Sequence, residues 1–323
     1  MGKLRLLIGF CGLVLCVACS SSDTGAAGAG GSSGAGGTGA TGGGSAGNSG
    51  SAGTAGVASG GAGASAGAGG AAAGAAGTAG VAGSAGSGGG ASGFGGSAAL
   101  PALGSLVILG DSISDGGGQG PFYYDLLRAD LEANYGALNY KKNAKSGSKT
   151  GALKGQVDGL PKSLPGPVAV CIPSGGNDMK DQILQVVAGL DGPARLQMGN
   201  NIAVALSALL APGRFGPGVP VHVFEADIYD ASDGQGNFAA HSCNFGGSFP
   251  ALPTDGYFKS WNAEIAKQIT AKGQWYSSIH ALFRLHGFNH PPNWYAGDCT
   301  HPNALGHDQL RRFFFYKITG KTL

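Results

Sequence analysis

From residue 20 to residue 98 the chain is almost wholly glycine, alanine and serine, with one charge, Asp23, and one aromatic, Phe94. A segment this poor in apolar side chains cannot bury enough surface to offset the entropy of ordering it. About a quarter of the chain is therefore excluded from any folded core, and the segment reads as a tether. Its glycines keep no three-residue period and it lacks proline, which excludes a collagen helix. The sequence GTAGVA recurs at residues 53–58 and 77–82, but without core-forming residues this is low-complexity repetition rather than a solenoid. A flexible glycine-rich chain of this length has a root-mean-square span of roughly 50 Å.

What precedes the tether is Lys3 and Arg5, then an uncharged apolar run from Leu6 to Ala18, then Cys19 and serines. A basic head, a short apolar stretch and a small-residue end read as a secretory signal, too short to span a bilayer comfortably. Val17, Ala18 and Cys19 resemble the lipobox of bacterial lipoproteins, in which the cysteine is acylated and becomes the new amino terminus. Cys16 stands where that pattern usually has leucine. The expected organisation is a signal peptide over 1–18, a lipidation site at Cys19 heading the tether over 19–99, and a folded domain over 100–323. Such a protein is expected in the cell envelope, held to a membrane by its acyl chains, or secreted. With 20 basic and 18 acidic residues and no basic stripe, nucleic acid is not an expected partner. A monomer is the default expectation.

Within the domain, apolar strands alternate with amphipathic helices. Residues 106–109 (LVIL), 138–142, 167–173 (PVAVCIP), 219–226 (VPVHVFEA) and 274–279 read as five strands, the first, third and fourth too apolar to face water. Between and after them fall four helices. One carries the stripe Phe122, Leu126, Leu127 and Leu131 and stops at Gly136. A second opens at 191–193 and repeats Met198, Ile202, Leu206 and Leu210. A third is capped by Thr254 or Asp255 and shows Phe258, Trp261, Ile265 and Ile269 on one side. The last spans 303–318. This alternation predicts an α/β domain, a parallel sheet with helices on both faces.

The loops after the first three strands each hold a group suited to acyl transfer. Gly110 breaks the first strand, so that Asp111 and Ser112 stand at its carboxyl edge, where open α/β folds bind ligands. The second loop, NAKSGSKTG, contains Gly147, whose backbone N–H can approach a substrate closely. The third, SGGND, contains Asn177, a side-chain amide donor. Near the end of the chain DCTHPNALGH places Asp298 three residues before His301. A serine hydroxyl needs a histidine to take its proton, and that histidine needs a carboxylate to fix its tautomer. The oxygen of a tetrahedral intermediate needs fixed donors, which the N–H groups of Ser112 and Gly147 and the Asn177 amide can supply. Each piece alone also has a plain reading: a strand-capping turn at 110–112, a turn at 175–178, a helix-capping loop at 298–303 or half of a metal site. His280, His286, His290, His301 and His307 crowd this end, but Gly287 and Pro291 oppose a helix there and no closed zinc pattern completes, so no metal is expected.

Taken together and in order, LVILGDSISD, NAKSGSKT, SGGND and DCTHPNALGH resemble the four blocks of the SGNH (GDSL-type) serine hydrolases, over nearly the whole domain. The resemblance implies a three-layer α/β/α flavodoxin-like sandwich, with Ser112 as nucleophile, His301 as base and Asp298 as its partner. It further implies Ser112, Gly147 and Asn177 as the oxyanion hole, ester hydrolysis through an acyl-enzyme, and no cofactor. The second block carries its glycine one residue nearer the asparagine than the family pattern.

Cys299, inside the last block, departs from that pattern. Both it and Cys243 lie in polar loops whereas Cys171 lies in an apolar strand, so a Cys243–Cys299 disulfide is expected in an oxidising envelope. The aromatics Tyr229, Phe238, Phe245, Phe249, Phe288, Trp294 and Tyr295 either form the core of long loops, stack on sugars or line an acyl groove. Asp230, Asp233 and Asn237 only faintly suggest calcium, and a solvated turn is the plainer reading. The expected activity is that of a serine esterase on a carbohydrate acetyl ester, a polysaccharide ester or a lipid-like small-molecule ester. Two rivals are a catalytically silent binding module on the same fold and a surface-coat protein whose tail is the functional part.

Overall fold

A computed structural model describes residues 96–241, 243 and 251–323. The secretory segment, Cys19, nearly all of the tether, Phe245 and Phe249 lie outside the described residues.

Five strands form one all-parallel sheet in the order β2-β1-β3-β4-β5: β1 (Ser105–Ile108), β2 (Asn139–Lys142), β3 (Val168–Pro173), β4 (Val221–Ala226) and β5 (Trp275–Ser277). The helices are α1 (Tyr123–Tyr135), α2 (Leu153–Asp158), α3 (Gly176–Asp181), α4 (Ile183–Ala188), α5 (Gly192–Leu209), α6 (Asp255–Ala271), α7 (Ile279–Phe283) and α8 (Ala304–Thr319).

Successive strand residues point to opposite faces, so an apolar run feeds two cores at once. Leu106 and Ile108 of β1, Ala169 and Cys171 of β3, and Phe224 and Ala226 of β4 join Leu127, Leu131, Phe313 and Phe314 under α1 and α8. Val107, Val168, Val170, Ile172 and Val223 point the other way, onto Ile202, Leu206, Trp261 and Ile265 of α5 and α6. The result is the expected three-layer α/β/α sandwich, with the unpaired thiol of Cys171 buried inside β3.

Strand β1 sits between β2 and β3, so the chain leaves it toward opposite sides of the sheet and opens a crevice at its carboxyl end. That is where ligands bind in doubly wound folds.

Two differences from the sequence expectation have local causes. Thr254 stands at the amino end of α6 but makes no capping bond there; its hydroxyl donates to Asp230 instead. Residues 230–237 form a turn stapled by its own acids. The Asp230 carboxylate accepts from the N–H groups of Ser232 (2.8 Å) and Gly234 (3.0 Å), and Asp233 accepts from those of Leu285 (2.8 Å) and Gly287 (2.9 Å). These acids satisfy backbone donors of two loops.

Candidate active site

The turn after β1 is set by the peptide of Gly110. Gln156 on α2 clamps it from both ends: its Oε1 accepts from the Gly110 N–H at 2.8 Å and its Nε2 donates to the Gly110 carbonyl at 2.8 Å. Asp111 then caps the following short turn, accepting from the Ile113 N–H at 3.0 Å. Ser112 opens that turn, so its own N–H has no partner within it. Burial pushes the Asp111 carboxyl up to about 7, against the lowering effect of the Ile113 bond and of His301.

His301 comes to Ser112 from the far end of the chain. Its Nε2 lies 2.7 Å from Ser112 Oγ, and its Nδ1 lies 2.5 Å from Asp298 Oδ2. The other carboxylate oxygen accepts from the N–H groups of Thr300 and His301, both at 2.9 Å. Burial raises the Asp298 carboxyl, but the bonds from the His301 ring and from these two N–H groups outweigh it and bring the group down to about 2. An anion so held keeps the proton on Nδ1 and leaves Nε2 with its lone pair toward the serine.

The back of the imidazole rests on Gly117. A Cβ there would stand 2.5 Å from His301 Cδ2, so no larger residue fits without moving the ring. The Gly117 carbonyl is in turn fixed by His307 Nε2 at 3.0 Å. Burial holds His307 down to about 4, hence neutral. Sequence reasoning missed Gly117 and Gln156 as site residues. The run Gly116 to Gly118 directly after the serine box was a visible signal for the first, whereas nothing local marks the second.

Asn177, at the start of α3, lines the same cavity as Ser112 and His301. Its amide donates one hydrogen to the Ser148 carbonyl at 3.0 Å, which orients the group and leaves its second hydrogen free to point elsewhere. Its neighbour Asp178 accepts from Thr150 N–H at 2.9 Å and Oγ at 2.7 Å, tying the second loop to α3. Gly147 stands apart from these side chains. It is exposed at the tip of a turn closed by Ser148 N–H on the Lys145 carbonyl, with φ +73°, and it does not line the cavity. That positive φ favours glycine at this point of the turn.

Behind Asn177 the sheet carries a buried acid. Glu225 on β4 accepts from Ser174 Oγ at 2.6 Å, and its second oxygen has no hydrogen-bond partner among the described residues. Burial, reinforced by Asp111 and only partly offset by Ser174, pushes its carboxyl up to about 8. A raised carboxyl contributes stability that is full below its unfolded value near 4.5 and is lost as pH rises through about 8. Glu225→Gln is therefore expected to be more stable than the parent at pH 8.5, by about 3–5 kcal/mol, with the gap closing toward pH 5. Thermal melts of both proteins across that range check this, and a gap independent of pH would refute it.

Cys243 and Cys299 are bonded, with Cα atoms 5.5 Å apart. The bridge ties the loop of Asp298 and His301 to the segment after Phe238. The aromatics near it are mainly loop core: Trp294 and Tyr295 pack edge-on against Phe283, and Tyr229 stacks on Phe283 while donating to the Thr300 carbonyl at 2.7 Å. The histidines disperse. His286 stacks on Trp294 and His290 meets Asp233 at 2.7 Å. Among the described residues no three ligand side chains converge as a metal site would need.

Residues 108–309 match the profile of the GDSL-like lipase/acylhydrolase family. Among solved structures, similar chains include phospholipase A1 from Streptomyces albidoflavus NA297 (21% identity, 67% of this chain and 100% of that one, TM-score 0.44). Others are an extracellular lipase from Streptomyces rimosus (20%, 65% and 98%, TM-score 0.43) and a catalytic mutant of an acetylxylan esterase from Geobacillus stearothermophilus (16%, 68% and 95%, TM-score 0.48). No curated protein matches the sequence.

Proposed function

The chain belongs to the GDSL-like lipase/acylhydrolase family and is a hydrolase of ester bonds; from that premise we propose that it is a serine esterase in which Ser112, His301 and Asp298 act as the triad. The observation that carries the reading is the unbroken line of contacts from Ser112 Oγ to His301 Nε2 and from His301 Nδ1 to Asp298.

Ser112 Oγ attacks the ester carbonyl as its proton passes to His301 Nε2, and Asp298 stabilises the imidazolium that forms. The carbonyl oxygen becomes an oxyanion, received by the Ser112 N–H and the free hydrogen of the Asn177 amide, donors whose individual loss costs roughly 3–4 kcal/mol of barrier in comparable sites. Collapse of the intermediate breaks the ester C–O bond. The alcohol leaves with the proton from His301, and Ser112 is left acylated. Water, deprotonated by the same Nε2, then attacks the acyl-enzyme and releases the acid.

The amino-terminal residues support a second element of the proposal: cleavage before Cys19, acylation of that cysteine, and tethering of the domain at the cell envelope by the glycine-rich segment. One experiment reads both. Full-length protein from the membrane fraction is treated with a p-nitrophenyl phosphonate ester and analysed by mass spectrometry. A single phosphonyl adduct is expected on the Ser112 peptide, abolished in His301→Ala, together with an acylated Cys19 terminus. An adduct elsewhere, or none, sinks the triad; an intact Met1 or an unmodified Cys19 sinks the anchor.

A further inference from the structure

Beyond the triad, the cavity that opens from Ser112 has a volume of about 150 Å³. Its apolar wall is made by three helices and two loops: Met179 of α3, Ile183 and Val187 of α4, Phe258 of α6, Ile228 after β4, and Leu252 before α6. Of the polar side chains there, Asp227, Ser174 and Thr254 are turned to partners of their own, and Tyr257 also lines the space. Asp227 accepts from Tyr276 (2.6 Å), Ser278 (2.7 Å) and the His280 N–H (2.7 Å). Ser174 donates to Glu225, and Thr254 to Asp230. Lys180 is exposed, at the edge of the wall rather than in its depth.

A sugar ring needs hydrogen-bond partners for its hydroxyls, and leaving them unmet on burial is costly. An alkyl chain needs none and gains from every methylene removed from water. Taking Ser112 as the nucleophile, as in the reading above, we infer that this cavity holds the acyl chain of a medium-chain ester, with Ile183 and Val187 setting its length. Closed apolar cavities of about 150 Å³ take a six-carbon ligand such as benzene, so the chain that fits has about six to eight carbons. The alcohol part leaves through the open side, and an acetyl group would fill only the first part of the space. Acetylated polysaccharide is then a poor substrate, because most of the wall stays in contact with water when it binds.

The test has two arms on the full chain. In the first, kcat/KM is measured on p-nitrophenyl acetate, butanoate, octanoate and dodecanoate. It is expected to rise about fourfold per methylene from butanoate to octanoate, which is 0.8 kcal/mol per methylene converted at 1.4 kcal/mol per tenfold, and to level off or fall by dodecanoate. Val187→Trp and Ile183→Trp, both at half-buried positions, shorten the cavity and should each lower the octanoate-to-acetate ratio at least 30-fold. Two sites are used because either variant alone could fail to fold, which circular dichroism reads.

In the second arm, Ser112→Ala protein is titrated with decanoic acid by displacement of a fluorescent fatty acid. Saturable binding is expected, weakened at least tenfold when Val187→Trp is added. A chain-length profile that is flat or highest at acetate, or decanoate binding indifferent to both tryptophans, overturns the acyl site. Inertness on every ester with intact, tryptophan-sensitive decanoate binding overturns the triad instead and leaves the acyl site standing.

Discussion

Ser112→Ala is expected to lower kcat on p-nitrophenyl butanoate by about 10⁴–10⁶-fold, the range seen when single members of such triads are removed. The size follows from what the hydroxyl does: the attacking oxygen and its acyl-enzyme disappear together, and only binding and oxyanion stabilisation remain. Stability should hardly change. Among the described residues Ser112 Oγ hydrogen-bonds only to His301 Nε2, so about 1 kcal/mol is at stake in folding. The paired measurement, turnover beside a thermal melt, separates loss of chemistry from loss of fold. A variant that folds normally and keeps more than a hundredth of parental turnover would rule Ser112 out as nucleophile.

The second large effect concerns the disulfide. Cys243 and Cys299 are 56 residues apart in sequence, and closing a loop of that length removes unfolded-state entropy worth about 4 kcal/mol in the chain-entropy account. For a domain of this size, Cys243→Ser should lower Tm by about 10 °C. Activity should fall as well. Cys299 lies between Asp298 and Thr300 with φ +56°, a conformation costly for any residue with a side chain. Freed from the bridge, the loop can relax away from it and carry Asp298 off His301. Dithiothreitol should reproduce both changes in the parent and neither in Cys243→Ser, since the thiol of Cys171 is buried and unpaired. Equal melting temperatures for parent and variant would remove the bridge from any structural role.

These two results bear on different parts of one site. Ser112 is presented by a strand end that Gln156 and Asp111 shape, and the histidine by a loop that the disulfide holds. Ser112→Ala removes the hydroxyl itself, whereas losing the bridge blurs a distance that is now 2.7 Å. Both cost rate, because a triad works only while its members stay within hydrogen-bond reach.

By itself the sequence determined the strands and the long helices. Continuous apolar runs such as PVAVCIP have no polar face to give to water, so they had to become buried strands of a parallel sheet. Apolar residues spaced four apart, as Phe122 with Leu126 and Leu127 with Leu131, had to become a helix with one face covered. Motifs rigid in local geometry were equally legible: a serine box at a strand end, and an aspartate three residues before a histidine.

Only the tertiary structure decided what depends on contacts between distant segments. Helices α2, α3, α4 and α7 have six residues or fewer, too few to show a period, and they exist because the sheet and its neighbours cover them. Gln156 carries no local sign that it clamps Gly110, and Thr254 no sign that it turns to Asp230 rather than capping α6. Gly147 was legible as a loop glycine, but not its place at the exposed tip of a turn. Ser112 and His301 stand 189 residues apart, and the acyl-sized cavity beyond them is the space left between α3, α4, α6 and the loop after β4. Periodicity and propensity act over a few residues, which is why they show in the sequence. Distances and cavities are set by how the whole chain returns on itself.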